Sequence, residues 1–280
     1  MTRGYFRVLG PLEVDVDGRR IALPTGNQRT LLATLLLNAN EVVPVESLVE
    51  QVWGDDLPRQ PRGALQTCLT RLRHSLDRHG RDLSRAISTS AAGYVIEVGS
   101  DRLDLLRFRE LVQRARRAEE RGDLAAESDC LTEALALWRG PVLPEVRSDW
   151  LHRGVVSRLT EKQLWVLERR NEIDLSLGRH KELVGELRAA ICAHPFRERL
   201  WQQLMLALYR SGRQAEALHA YQQLSARLRE ELGIDPGVEL RRLHTAILRS
   251  DPALGARGRC AACRMPRWSG GGRENPASSA

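Results

Sequence analysis

LQTCLTRLRHSL, residues 65–76, is the stretch on which the reading of this chain turns. At helical spacing Leu65, Cys68, Leu69, Leu72 and Leu76 fall on one stripe, the core face of an amphipathic helix. The other side carries Gln66, Thr67, Thr70, Arg71, Arg73 and His74, and the nearest acid is Asp77. A merely solvated helix face mixes both signs, because acid–base pairs one turn apart support it. This face does not mix them.

The charge around the helix follows the same pattern. Between Arg59 and Arg85 there are seven arginines (59, 62, 71, 73, 78, 81 and 85) against Asp77 and Asp82. Residues 10–58 reverse the balance, with eight acids against Arg19, Arg20 and Arg29. A basic segment set against an acidic one is the footprint of a nucleic-acid face with a differently employed back. The bland alternative is arginine-rich codon usage, since only Lys162 and Lys181 are lysines.

Working outward, YFRVL (Tyr5–Leu9), LEVDV (Leu12–Val16) and RIAL (Arg20–Leu23) read as short strands, with Asp17-Gly18 a hairpin turn. A first helix, capped by Thr25, runs to about Ala39, and a second spans Val45–Trp53. The prolines of GDDLPRQP impose a loop, after which the basic helix runs from Arg62 to His79. AIST (Ala86–Thr89) and YVIEV (Tyr94–Val98) close the region as a hairpin. Three helices closed by a β-hairpin is the layout of a winged helix-turn-helix, assigned to residues 1–100.

From Leu103 to Ser250 only helical periods remain, assigned to a second domain over 101–250. Leu167 and Trp201, Gly178 and Gly212, Arg179 and Arg213, Leu183 and Ala217, and Leu187 and Tyr221 are each 34 residues apart. That period is the tetratricopeptide signature, and Glu120–Leu135 reads as a more divergent copy. Residues 251–280, rich in Gly, Ser, Pro and Arg, are expected to be disordered.

The 280 residues suffice for two domains, and no apolar run is long enough to span a bilayer. MTRGYFRV lacks a signal-peptide core, and five irregularly spaced cysteines fit a reducing compartment, so a cytoplasmic location is expected. Cys260 and Cys263 have metal-like spacing, but no second pair closes a tetrahedral site. With His180 and Glu182 they only superficially match a zinc deaminase. No phosphate loop, dinucleotide fingerprint or hydrolase motif is present, so neither a cofactor nor an enzymatic activity is expected.

A B-DNA major groove admits one α-helix whose side chains meet base edges. Arg71 is suited to donate twice to guanine, and Thr67 and Thr70 to touch a thymine methyl or a phosphate. Arg62, Arg73 and Arg78 are placed as phosphate clamps, with Gln66 and His74 beside them. The start of the first helix, near Gln28 and Arg29, adds backbone N–H donors for another phosphate. The alternative class is a helical-repeat scaffold whose winged helix mediates protein contacts.

FRVLGPLEV (Phe6–Val14), NQRTLLATLLLNANEVV (Asn27–Val43), LVEQVWGDDLP (Leu48–Pro58), AAGYVIEV, ALALWRGPVL and LGRHKELVGEL extend the pattern across both domains. So does the long stretch from HPFRERLWQQLMLALYRSGRQAEALHAYQQL to LRRLHTAILRSDP. In order and spacing this sequence resembles the Streptomyces antibiotic regulatory proteins. The resemblance implies an α+β, OmpR-type winged helix followed by an all-α, tetratricopeptide-like bacterial transcriptional activator domain. It also implies an activator that binds direct repeats near promoters of secondary-metabolite clusters, as a dimer or cooperatively, and contacts RNA polymerase holoenzyme. The recognition helix would then be Arg62–His79, and the loop Gly54–Pro61, with Asp55, Asp56 and Arg59, the polymerase-facing segment.

Three positions depart from the family's pattern. Asn27 stands where Lys is common, Cys68 where a larger side chain is common, and Ser90-Ala91-Ala92-Gly93-Tyr94-Val95 where the wing often carries prolines and arginine. No wing arginine is therefore expected to contact DNA. Neither the ATPase module of the larger members nor a receiver domain is expected.

Overall fold

The structure is a computed structural model, and it describes residues 4–255. The Cys260/Cys263 pair and all of the expected tail beyond Gly255 lie outside the described residues. Of the tail's first residues, Pro252–Leu254 form a 3-10 turn whose Leu254 is buried.

The chain forms two compact units, residues 1–167 and 168–280. The first opens with an antiparallel sheet of β1 (Gly4–Arg7), β2 (Glu13–Val16) and β3 (Arg19–Arg20), in which Tyr5 faces Asp15 and Phe6 faces Val14. The third strand is only two residues long, because Ile21 keeps a single backbone bond to Val14 and the chain then enters Leu23-Pro24. Helix α1 (Asn27–Leu37) follows, with every residue from Thr30 to Leu37 buried. Its N-cap is Gly26 rather than Thr25, which is exposed, and it stops at Leu37, short of Ala39. Glycine at φ 61° turns the backbone there without needing a side-chain cap.

A two-residue strand β4 (Val43–Pro44) leads directly into α2 (Val45–Trp53). Then come α3 (Pro61–Asp77), started by proline at its first position, and the short α4 (Arg81–Arg85). The hairpin of β5 (Ile87–Thr89) and β6 (Gly93–Ile96) has Ser88 opposite Val95. It joins β4 in a second sheet of order β4-β6-β5. Gly93 is required in that sheet, since a Cβ there would lie 2.0 Å from the Val43 carbonyl oxygen.

The unit does not end at residue 100. Helix α5 (Asp104–Glu120) begins with a buried carboxylate that accepts the Val8 and Leu9 N–H groups at 2.9–3.0 Å. Arg139 bonds Glu13 and the Pro11 carbonyl, and the Leu12 N–H donates to Glu145. These links, about a hundred residues apart in sequence, hold the start of α5 and the loop after α6 (Leu124–Leu135) against the first sheet, and α6 packs on α5. Burial raises the Asp104 carboxyl above its ordinary range, and the N–H groups offset part of that cost. After a single turn, α7 (Asp149–Leu151), comes a π-helical turn, His152–Val156, and then α8 (Ser157–Leu177), within which the second unit begins.

The second unit continues with α9 (His180–Ala193), α10 (Glu198–Arg210), α11 (Gln214–Leu232) and α12 (Val238–Leu248). Helix α10 is its centre, buried from Leu200 through Leu208. The 34-residue repeat has a backbone counterpart. Gly178 and Gly212, at φ 86° and 77°, end α8 and α10, and each following arginine N–H reaches back five residues, to Asp174 and Leu208. The divergent copy makes the same turn at Gly122, with Asp123 bonded to Ala118. This six-to-one bond closes a Schellman motif, which needs a left-handed residue that glycine supplies at no steric cost.

Candidate nucleic-acid interface

Helix α3 presents a polar side to solvent that is rich in arginine and carries a single acid, Asp77, at its end. Leu65, Cys68, Leu69, Leu72 and Leu76 are buried, while Arg62, Gln66, Thr67, Thr70, Arg71, His74 and Arg78 are exposed. Cys68 is a packing residue, its thiol pushed up to about 11 by burial. Asp77, the one acid of the helix, accepts the Ser84 hydroxyl and so ties α4 to the end of α3.

The structure sorts the expected contact residues into two groups. Thr70, Arg71, His74 and Arg78 meet Gln28 and Ser75 around one depression of about 570 Å³. Gln28 lies in the first turn of α1, which has no side-chain cap and contains no acid. A helix N-terminus beside two arginines attracts an anion of phosphate size. Among the described residues, no carboxylate pairs with Arg71 or Arg78.

The second group, and with it the Thr70 hydroxyl, is engaged within the fold. Arg73 donates to the Ile87 carbonyl at 2.9 Å and to the Thr89 hydroxyl at 3.3 Å, tying α3 to the wing hairpin. Arg29 donates to the Pro24 and Leu23 carbonyls, bracing the loop ahead of α1. Arg62 pairs with Glu46 of α2 at 2.6 Å, both side chains largely exposed. The Thr67 and Thr70 hydroxyls donate to the Gly63 and Gln66 carbonyls, one turn back in their own helix. Each oxygen then has only acceptor capacity for a ligand.

Asp55, Asp56 and Arg59 lie exposed in the loop between α2 and α3, apart from that depression. The wing tip is a two-residue turn, Ala91–Ala92, closed by bonds between Ser90 and Gly93, and it carries no charge. Ser75 was not singled out from the sequence, although it follows Arg71 by one helical turn, a signal that periodicity contains. Among the described residues no group of three or more His, Cys, Asp or Glu side chains is placed to hold a metal ion.

Comparison with known proteins divides the chain near residue 100, within the first compact unit. Residues 18–96 match the C-terminal domain of transcriptional regulatory proteins, and residues 103–248 match the bacterial transcriptional activator domain. The regulatory protein DnrI of Streptomyces peucetius is 37% identical over 256 residues, which cover 90% of this chain and 94% of the relative. The chain belongs to the Streptomyces antibiotic regulatory protein family.

Another relative in this family, the regulatory protein AfsR of Streptomyces coelicolor, is 42% identical over 250 residues. The chain spans 24% of AfsR's length, so AfsR is matched over about a quarter of itself. In solved structures the fold matches EmbR of Mycobacterium tuberculosis with a TM-score of 0.80 and 33% identity. That match covers 89% of this chain and 66% of the EmbR chain, which was solved with a low-affinity phosphopeptide. The architecture is thus an OmpR-type winged helix followed by a helical activator domain, and the relatives are transcriptional regulators. No helix among the described residues is long and apolar enough to cross a membrane.

Proposed function

We propose that this chain is a sequence-specific DNA-binding transcriptional activator that works in the cytoplasm and serves one secondary-metabolite cluster. It binds direct repeats near promoters as a dimer or cooperatively, with residues 1–100 docking on DNA and the helical region over 101–250 completing the activator. The observation that carries this reading is the cationic face of α3, whose one acid, Asp77, is engaged by Ser84, beside the uncapped start of α1. In a major groove Arg71 donates to guanine and Gln66 faces a base edge or a phosphate, while Thr67 and Thr70 offer a methyl to thymine and an acceptor oxygen to a base amino group. Arg78, His74 and the α1 N-terminus take the flanking phosphates, with Arg62, Arg73 and Arg29 using donors left over from their internal bonds. Asp55, Asp56 and Arg59 are exposed where RNA polymerase would meet the α2–α3 loop.

Footprinting of the purified protein on promoter regions flanking its own gene, across a salt series, tests the proposal. Protected direct repeats are expected, with affinity falling steeply as salt rises, because each neutralised phosphate releases counterions. Weak, uniform retention of all DNA with no protected site would reject sequence-specific binding and favour a protein-interaction scaffold.

A further inference from the structure

A second cavity lies within the first unit, apart from the depression lined by Arg71 and Arg78. It is a cleft of about 1300 Å³ between α2, the α2–α3 loop and the segment Asp149–Gly154. Its apolar floor is made by Val45, Val49, Leu57 and Trp150. Leu57 is 58% exposed and Trp150 is 40% exposed, both high for large apolar side chains beside a concave surface. One end of the cleft is tied across by a hydrogen bond. The Ser148 hydroxyl donates to the Gln51 carbonyl at 2.7 Å, fixing the start of α7 against the end of α2, while Trp150 projects two residues further on.

The rim has a definite sign. Arg62 and Arg153 are each bonded to an acid of the same rim, Glu46 and Asp149, and so cancel in pairs. Glu50 and Asp55 are left over, with Asp56 next in the loop, so the cleft is apolar at its base and acidic at its edge. A further feature points to function: Arg153 and Gly154 belong to the π-helical turn. Such turns open the backbone ladder and occur preferentially at functional sites.

We infer that this cleft is a docking groove for a basic amphipathic helix of another protein, which inserts a large aliphatic or aromatic residue against Trp150 and Leu57. The mode is helix-in-groove recognition, with apolar side chains one turn apart on the floor and flanking Arg or Lys on Glu50 and Asp55. Aromatic anchors dominate such interfaces and the rim charges set the choice of partner. The inference extends the proposed activator reading from the α2–α3 loop onto residues beyond the winged helix. It stands on the cleft alone, however, and its test is run without DNA, so failure of DNA recognition and failure of docking are separately visible.

The probe is a fluorescein-labelled 16-residue peptide of Leu, Ala and Arg, with leucines spaced for one helix face. A matched peptide replaces Arg with Glu, and a third scrambles the order. Fluorescence anisotropy of the full chain is expected to show saturable binding of the basic amphipathic peptide and none of the other two. Trp150→Ala should weaken binding at least tenfold and Trp150→Phe should restore most of it. The double variant Glu50→Lys, Asp55→Lys should reverse the preference toward the Glu peptide. Equal binding of the basic and scrambled peptides, or no effect of Trp150→Ala, would overturn the inference. It would also be overturned if a peptide of residues 256–280 displaced the probe as strongly as the unlabelled probe does. A concentration-dependent dimer abolished by Trp150→Ala would overturn it too, by making the cleft a self-interface.

Discussion

The arginines of α3 and those of the second unit share a side chain and differ in who neutralises them. Arg71 and Arg78 stand in solvent with no carboxylate against them among the described residues. Arg170 has a side chain only 9% exposed, bonds Glu186 and forms an ion pair with Asp174 at 3.7 Å, and Arg197 bonds Glu168 at 2.6 Å. Composition alone cannot separate these uses, because a net charge of +7 counts both alike. Neutralised arginines hold helices together, and unneutralised ones on a single face recruit an anion. The largest test of that contrast is Arg197→Ala, which leaves a carboxylate 4% exposed facing no guanidinium from this residue. A loss of about 3 kcal/mol in urea unfolding is expected, at the low end for breaking a buried pair because Arg197 itself is a third exposed. Operator footprints by the remaining folded protein should not change. A loss below about 1 kcal/mol would place this pair among ordinary surface pairs.

On α3 the expectation reverses. Arg71→Ala should leave unfolding within about 0.5 kcal/mol of the parent, because its guanidinium supports nothing in the fold. Its cost, about 1–3 kcal/mol, should fall on operator DNA and not on random DNA. Equal loss on both would make Arg71 a phosphate contact and blur the distinction between reader and clamp. Arg73→Ala is the intermediate case, since its guanidinium bonds the wing through Ile87 and Thr89. About 1 kcal/mol of stability should be lost with those bonds, together with a weakening of all DNA binding alike. Preserved stability would show that the link to the wing contributes little.

How much of this was legible in sequence depended on whether the information was periodic or long-range. The core stripe of α3, the span of α2, the 34-residue repeat and the wing hairpin all leave local periods, and the structure places them within a few residues. The end of the first unit left no such trace. It rests on Asp104 bonding Val8 and Leu9 across nearly a hundred residues, and an aspartate at a helix start reads locally as a cap. The exposed cationic face was legible for the same reason as the core stripe, but its partition into free and engaged arginines was not. Arg73 sits on the polar side in any helical projection, and only the position of the Ile87 carbonyl shows that part of its capacity is used. The Trp150 cleft was invisible, because it joins α2 to a turn about a hundred residues later and includes a π-helical step.

Arg62 is the smallest and sharpest case, since it lies between the two classes. It is on the helix proposed to face DNA, largely in solvent, yet bonded to Glu46. That bond holds the Glu46 carboxyl below the usual glutamate range, chiefly through the hydrogen bond from Arg62. The sign follows: a depressed carboxylate keeps its pair to lower pH than a free glutamate would, and releases the arginine only as pH falls through its lowered pKa. Glu46→Gln should release Arg62 at neutral pH. Operator binding should then tighten by no more than about threefold, because an exposed pair is weak and screened by salt. The slope of log affinity against log salt should steepen by about one phosphate contact as the freed guanidinium finds the backbone. An unchanged slope would mean that Arg62 belongs with the neutralised arginines of the second unit despite its position on α3. Its role would then be to brace α2 against α3.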